Sequence, residues 1–132
     1  MKITADTNIL VRAVTEDDPI QGPLARKLVT TAGLVAVTLP ALCELCWVLR
    51  TVYKFGNADV AAAIRLLLDA DNVAIDRQAV DAGLAILDVG GDFADGVIAH
   101  GGQWLGGETF VSFDQKAVAL LKKGGTKVLL PQ

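Results

Sequence analysis

The chain opens with the stretch Lys2-Ile3-Thr4-Ala5-Asp6-Thr7-Asn8-Ile9-Leu10. Residues 2–6 are typical of a β-strand, and residues 7–14 fit a short helix that follows it. Asp6 therefore lies at the carboxyl end of a predicted strand. In open α/β sheets this is the edge where ligands bind, so the opening stretch indicates both a fold class and the position of a site.

The same alternation of short strands and helices continues to the end of the chain. Further strands are predicted at 34–38, 73–75, 109–113 and 127–130, and further helices at 18–31, 40–54, 58–70, 76–90, 92–104 and 115–123. Such alternation is typical of an α/β fold with a parallel sheet. Because the chain has 132 residues and neither a linker nor a repeat, we predict a single domain over residues 1–132.

The composition is apolar and slightly acidic. Hydrophobic residues make up 52% of the chain, and the formal net charge is -3. We therefore expect a large core and exposed apolar patches for partners, and the charge argues against nucleic-acid binding by bulk electrostatics. Basic residues can still form a rim beside an acidic site, and the candidates are Arg12, Arg26, Lys27, Arg50, Lys54, Lys116, Lys122, Lys123 and Lys127.

Two sequence features bear on the cellular compartment. Asp6 and Arg12 interrupt any apolar run at the N-terminus, so it does not resemble a signal peptide, and we expect a cytoplasmic protein with no membrane anchor. Cys43 and Cys46 form a Cys-x-x-Cys pair inside an apolar helical pattern. Since His100 is the only other soft ligand, we interpret the pair as core packing rather than as a zinc or redox site.

Glu44 is the most informative of the acidic residues. It is the only charged residue within 34–49. A carboxylate in an apolar setting costs on the order of several kcal/mol unless a cation or hydrogen bonds compensate it. We therefore interpret Glu44 as functional rather than as a solvated surface residue. For Asp6, capping of the helix that follows is an equally good explanation.

Three further aspartates have comparable positions. Asp92 and Asp95 lie one turn apart at a predicted helix start, and Asp114 follows the predicted strand 109–113. Helix capping and the helix dipole are the alternative explanation for each. Carboxylates that converge from distant parts of a chain repel each other, and a divalent cation usually resolves this repulsion. The sequence therefore predicts an acidic Mg²⁺ or Mn²⁺ site.

Four motifs in this chain together resemble those of the PIN domain family. They are Asp6-Thr7-Asn8-Ile9-Leu10, Glu44 before Leu45-x-Trp47-Val48-Leu49, Asp92-Phe93-Ala94-Asp95-x-x-Ile98-Ala99, and Phe113-Asp114-x-x-Ala117. Within the family, the chain resembles the VapC toxins of bacterial toxin–antitoxin systems. The resemblance implies a three-layer α/β/α sandwich with a mostly parallel central sheet. It also implies a Mg²⁺- or Mn²⁺-dependent endoribonuclease that forms a homodimer and pairs with a VapB-like antitoxin.

The resemblance also assigns roles to individual residues. The implied catalytic and metal-binding residues are Asp6, Glu44, Asp95 and Asp114, with Asp92 as a further metal ligand and with Thr7, Asn8 and Ser112 as supporting polar groups. One departure from the family pattern is Gly101-Gly102. Two glycines, each costing about 1 kcal/mol inside a helix, predict that the helix frays or bends there. A reaction of this type needs no histidine base, so His100 receives no catalytic role.

Two other classes of function remain open at this point. In a HAD-like phosphatase or phosphotransferase, Asp6 would be the nucleophile. That chemistry requires a second aspartate two residues later, where this chain has Asn8, and it gives Glu44 no role. The second alternative is a non-enzymatic, metal-dependent regulatory module such as a phospho-acceptor receiver domain, which would need its acidic pair on other elements.

Overall fold

All strand pairs in this protein are parallel, which confirms the predicted α/β class. The computed structural model describes all 132 residues. Chain contacts divide them into two units, Met1–Asp76 and Arg77–Gln132. None of the helices has the length and apolarity that crossing a membrane requires.

The first unit contains a three-stranded sheet and four helices. In chain order they are β1 (Lys2–Thr4), α1 (Thr7–Thr15), α2 (Gln21–Thr31), β2 (Leu34–Ala36), α3 (Leu39–Thr51), α4 (Asn57–Asp69) and β3 (Val73–Ala74). Strand β2 is central, and Val35 pairs with Ile3 on one side and with Val73 on the other. The core is aliphatic, and its fully buried members include Leu10, Val35, Leu42, Leu45, Leu49, Val60 and Ile64.

The second unit contains three helices and a two-stranded sheet. In chain order they are α5 (Arg77–Asp88), α6 (Phe93–Trp104), β4 (Phe110–Val111), α7 (Gln115–Lys123) and β5 (Val128–Leu129). Helices α5 and α6 approach closely where Gly83 lies over Phe93 and Gly96 lies over Ala82. A Cβ at Gly83 would be 2.6 Å from the Phe93 ring, and one at Gly96 would overlap the Ala82 carbonyl oxygen. These glycines thus allow Phe93 to be buried, with 1% of its surface exposed.

Helix α3 ends three residues earlier than the predicted end at Lys54. Lys54 has a left-handed φ of 60°, and the Phe55 N–H donates to the Leu49 carbonyl oxygen at 2.9 Å. A left-handed residue next to a hydrogen bond that returns to the last turn is a common helix terminator, in which glycine is the usual residue. The sequence has its glycine at position 56, so the predicted boundary was placed too late.

Two other predictions about secondary structure need correction. The fraying predicted at Gly101-Gly102 is wrong, because α6 continues through both residues to Trp104, and the Leu105 N–H donates to the Gly101 carbonyl oxygen at 3.2 Å. The strand predicted over 109–113 is only Phe110–Val111. Its apolar run extends beyond the residues that pair with the neighbouring strand, and hydropathy alone does not mark where pairing stops.

Candidate active site

The five predicted acidic residues fall into two sets, one in each unit. The first unit contains Asp6 and Glu44, and the second contains Asp92, Asp95 and Asp114. No group of three or more histidine, cysteine, aspartate or glutamate side chains is arranged to hold a metal ion. The acids of the first unit share a pocket, and in the second unit the charges of Asp92 and Asp114 raise the pKa of Asp95.

Asp6 is placed by the transition from β1 to α1. Its backbone is extended, and its Oδ1 accepts a hydrogen bond from the Thr7 N–H at 2.7 Å, so it caps α1. The capping role considered for Asp6 is therefore real. This bond uses Oδ1 and leaves Oδ2 outside the cap, so capping and ligand binding are compatible for this carboxylate.

Glu44 is connected to α1 by a hydrogen bond. The Thr7 hydroxyl donates to Glu44 Oε2 across 3.1 Å. Thr7 is the chain's buried polar residue, with 8% of its surface exposed. Glu44 lies in the second turn of α3, which Thr38 caps by accepting from the Ala41 N–H at 3.4 Å. The structure thus brings the Glu44 carboxylate next to the residue that follows Asp6.

The two acids of the first unit line the same pocket, which has a volume of about 340 Å³. Asn8, predicted as a supporting residue, also lines it. Arg12 is the only cationic side chain among the lining residues, which are Asp6, Thr7, Asn8, Val11, Arg12, Glu44, Val48, Val52 and Tyr53. The pocket therefore combines carboxylates, one guanidinium and an apolar wall.

Burial does not distinguish these acids from ordinary surface residues. Asp6, Glu44, Asp92 and Asp114 are exposed, and only Asp95 is half-buried. The expectation that the apolar surroundings of Glu44 would desolvate it is therefore wrong. The outer face of α3 is itself apolar, and Trp47, three residues after Glu44, is 63% exposed. The support for Glu44 is its hydrogen bond to Thr7, which hydropathy does not reveal.

In the second unit, three carboxylates surround the start of α6. Asp92 is the N-cap residue of α6 without a capping hydrogen bond from its side chain, and Asp95 lies in the first turn. Burial raises the pKa of Asp95 above its ordinary value, and the negative charges of Asp92 and Asp114 raise it further. Asp92 and Asp114 are therefore close enough to Asp95 to disfavour its negative charge.

Asp114, like Asp6, follows a strand and is the N-cap residue of the next helix. It caps α7, and its Oδ1 accepts from the Ala117 N–H at 3.0 Å. Ser112, expected to be a supporting polar group, accepts a hydrogen bond from the Asp114 backbone N–H at 3.0 Å. Ser112 therefore supports the turn that presents Asp114 and makes no contact with the carboxylate itself.

The donor chemistry of both sets fits a hard divalent cation. Carboxylate oxygens, together with the neutral oxygens of Thr7 and Asn8, are the ligands that Mg²⁺ and Mn²⁺ prefer. In the second set, the negative charges of Asp92 and Asp114 contribute to the raised pKa of Asp95. A bound cation would relieve that repulsion.

The histidine and the two cysteines of the chain have contacts that suit a structural role. His100 Nε2 accepts a hydrogen bond from the Trp104 indole N–H at 3.1 Å near the end of α6. No disulfide joins Cys43 and Cys46, and burial raises the pKa of the Cys43 thiol. A redox pair requires the opposite, a lowered thiol pKa. These observations favour the interpretation of the cysteine pair as packing residues.

Two residues that contribute to the pocket surroundings were missed by the sequence interpretation. Tyr53 lines the pocket, and its hydroxyl donates to Asp17 Oδ2 at 2.9 Å. Hydrogen bonds from Thr15 and Tyr53 hold the pKa of the Asp17 carboxyl below its ordinary value. The only available signal was that Tyr53 is the single tyrosine of the chain, just beyond the apolar helix.

Comparisons with known proteins identify a family. The model of the PIN domain family matches residues 3–122, a range that includes all five acidic residues. The crystal structure of Mycobacterium tuberculosis VapC20, described as a Sarcin-Ricin loop cleaving toxin, aligns with 99% of this chain and 99% of its own. The identity is 16% and the TM-score is 0.45. No curated protein matches the chain.

Proposed function

The chain belongs to the PIN domain family, and from this premise we propose that it is an endoribonuclease that hydrolyses RNA phosphodiester bonds. The observation that carries the proposal is the Thr7–Glu44 hydrogen bond, which lies beside Asp6 in one pocket. Carboxylates that are oriented by hydrogen bonds and still exposed can meet a substrate. The HAD-like alternative gives Glu44 no role, and a nuclease does.

We assign the catalytic and ligand-binding roles to the acids of both sets. The catalytic, metal-binding residues are Asp6, Glu44, Asp95 and Asp114, the additional metal-binding candidate is Asp92, and the supporting residues are Thr7, Asn8 and Ser112. Mg²⁺ or Mn²⁺, when bound, supplies Lewis acidity that lowers the pKa of water and offsets charge on the phosphate. The family and the all-oxygen donor set support this choice of cation.

The chain's own side chains then orient the reaction. Thr7 fixes one oxygen of Glu44, and the Thr7 N–H fixes one oxygen of Asp6, so each carboxylate keeps a second oxygen for the site. Whichever of Asp92 and Asp114 does not bind the metal directly would orient or deprotonate the water that attacks in line with the leaving oxygen. Single-stranded or looped RNA is the expected substrate, because an A-form duplex hides its base edges in a deep groove.

We further propose that the enzyme is the toxin of a type II toxin–antitoxin pair and acts in the cytoplasm as a homodimer. A second pocket, of about 510 Å³, lies between α1 and α2 and has apolar lining residues that include Ile9, Leu24 and Leu28. This apolar surface suits a VapB-like antitoxin. A basic residue of that partner would pair with Asp6 and Glu44 and compete there with the metal.

The test of the nuclease is cleavage of cellular RNA, followed by sequencing of the new RNA ends after brief expression. Each of Asp6→Asn, Glu44→Gln, Asp95→Asn and Asp114→Asn should abolish or strongly reduce cleavage, and Asp92→Asn should reduce it less. Asp81→Asn, which changes an exposed aspartate of α5, is the matched control and should cleave normally. Undiminished cleavage in the four variants would refute the site.

The toxin–antitoxin proposal has its own experiment. Expression of the chain should arrest growth, and co-expression of a small protein encoded by the adjacent reading frame should restore it. That partner should have a DNA-binding half and a basic, amphipathic tail. A monomeric product that does not affect growth would instead indicate a housekeeping RNA-processing nuclease.

A further inference from the structure

The pocket that contains Asp6 and Glu44 has to accept a polyanion although its acids repel one. The chain as a whole offers no compensating excess of positive charge, because its net charge is -3. Arg12 is the only cation among the residues that line the pocket. Arg12 is therefore the candidate for the side chain that contacts the RNA backbone in this pocket.

Arg12 is held in place by a network of hydrogen bonds. Its Nε donates to Gln21 Oε1 at 2.9 Å, and its Nη1 lies 3.4 Å from both Asp17 Oδ1 and the Tyr53 hydroxyl. The other amino group, Nη2, takes part in none of these bonds. Arg12 is also one helical turn from Asn8, so the two side chains lie on the same face of α1. The guanidinium is therefore oriented before a ligand arrives, which lowers the entropy cost of binding.

Asp17 does not depend on Arg12 for its charge. Its carboxylate accepts hydrogen bonds from the Thr15 hydroxyl at 2.8 Å and from the Tyr53 hydroxyl at 2.9 Å. These bonds contribute most to its lowered pKa, and the charge of Arg12 contributes least. The Arg12–Asp17 ion pair is long and solvated, with 33% and 46% of the two side chains exposed. Exposed pairs of this kind are weak, so Arg12 can exchange part of this contact for a stronger anion.

We propose that Arg12 is a positioning residue that binds a phosphate of the RNA backbone next to the bond that is cut. The proposal rests on the proposed ribonuclease function and extends it to the way the substrate is held. The N–H groups of Nη2 take part in none of the hydrogen bonds to Gln21, Asp17 and Tyr53 and can donate to a phosphate oxygen. Asp17, Gln21 and Tyr53 orient the guanidinium and do not themselves touch the RNA.

The experiment measures binding of a short fluorescein-labelled oligouridylate by fluorescence anisotropy, in EDTA to prevent cleavage, over a series of KCl concentrations. Each phosphate that a cation neutralises contributes about 0.7 to the slope of log K against log salt concentration for a single strand. Arg12→Gln should therefore reduce the slope by about 0.7 and weaken binding about fivefold at about 0.1 M salt. Arg12→Lys should keep the slope, because it keeps the charge.

The control is Lys2→Gln, which removes an exposed cation from β1 that does not line the pocket. It should leave the slope unchanged. A purely structural role of Arg12 would change the melting temperature of Arg12→Gln but not the number of counterions released. An unchanged slope in folded Arg12→Gln would overturn the proposal.

A second pair of variants tests the same idea if Arg12→Gln does not fold. Asp17→Asn removes the charge that partly neutralises Arg12 and keeps one of the two oxygens that accept from Thr15 and Tyr53. It should bind the oligouridylate more tightly than Glu16→Gln, which removes a nearby acid paired with Arg26. Equal affinities of these two variants would contradict the proposal. If the unmodified protein shows no salt-dependent RNA binding, the proposed ribonuclease function fails as well, whereas RNA cleavage with an unchanged slope in Arg12→Gln removes only the role of Arg12.

Discussion

The Thr7 hydroxyl donates a hydrogen bond to the Glu44 carboxylate across 37 residues of sequence, with 3.1 Å between Oγ1 and Oε2. Thr7 begins α1, and Glu44 lies in the second turn of α3. The bond therefore joins Thr7, whose N–H is bound by Asp6, to Glu44 on α3. It fixes the rotamer of Glu44 although that side chain is exposed, and so it aligns the acids of the first unit.

We expect Thr7→Val to loosen Glu44 without disturbing the fold. Valine has nearly the same shape, so the main loss is one hydrogen bond, worth about 0.5–1.5 kcal/mol of unfolding free energy. RNA cleavage should fall more than this change in stability explains, because Glu44 loses its orientation. Urea unfolding and cleavage rates measure the two effects. Thr51→Val removes an exposed hydroxyl that donates to the Trp47 carbonyl oxygen on α3, and it should leave cleavage unchanged.

The raised pKa of Asp95 predicts a pH dependence of stability in the metal-free protein. Because the folded-state pKa lies above the ordinary value of 3.8, ionisation of Asp95 opposes folding. This penalty is absent below pH 3.8 and becomes complete as the pH rises through the folded-state pKa. The stability of Asp95→Asn relative to the unmodified protein should therefore rise with pH. Urea unfolding in EDTA at acidic and neutral pH measures the trend, and a flat or falling difference would count against it.

A divalent cation should stabilise the protein by mass action. At a concentration about 100 times its Kd, one bound ion adds about 2.7 kcal/mol to the free energy of unfolding. Asp6→Asn and Glu44→Gln should fold normally and should show a smaller rise in melting temperature when Mg²⁺ or Mn²⁺ is added. Thermal melts with and without the cation provide the measurement. An undiminished rise in both variants would show that these carboxylates are not ligands.

Two glycines of α6 should respond oppositely to the same substitution. Gly96→Ala would place a methyl group against the backbone carbonyl of Ala82, which cannot move without separating α5 from α6. We expect a loss of about 1–3 kcal/mol or more from such overpacking. Gly101 faces open space, so Gly101→Ala should stabilise the helix by about 0.5–1 kcal/mol. Chemical denaturation separates the two cases, and equal effects would contradict the close approach of the two helices.

His100→Ala should retain most of the RNA cleavage. The imidazole accepts a hydrogen bond from Trp104, and no acidic residue of either set bonds to it. The loss of this exposed contact should change the stability by no more than about 0.5 kcal/mol. Cleavage assays on the folded variant provide the measurement. Complete loss of activity would require a reaction that uses a histidine.

The helices and strands were largely predictable because their signals are local. The second helix, for example, was predicted over 18–31 and lies at Gln21–Thr31, and Asp18 Oδ1 accepts from the Gln21 N–H at its start. The end of α3 was not predictable, since a lysine occupies the left-handed position where glycine is usual. Hydropathy marked the apolar runs correctly but did not mark where strand pairing stops.

For the candidate site, the sequence singled out individual residues but did not indicate their physical surroundings. Glu44 was singled out because its neighbours are apolar, and yet its side chain is exposed. The argument from desolvation failed because an apolar residue such as Trp47 can also face solvent. The contacts that orient the pocket connect residues far apart in sequence, as in the bond between Tyr53 and Asp17. No local pattern contains that information.

The two tryptophans of the chain lie in different units, Trp47 on α3 and Trp104 on α6, and both are exposed. This distribution provides an intrinsic fluorescent reporter for each half of the protein. In Trp104→Phe the remaining indole emission follows the surroundings of Glu44, and in Trp47→Phe it follows the end of the helix that starts beside Asp92 and Asp95. Unfolding curves of the two single-tryptophan proteins would coincide if the halves unfold as one cooperative body. They would separate if one half opens before the other.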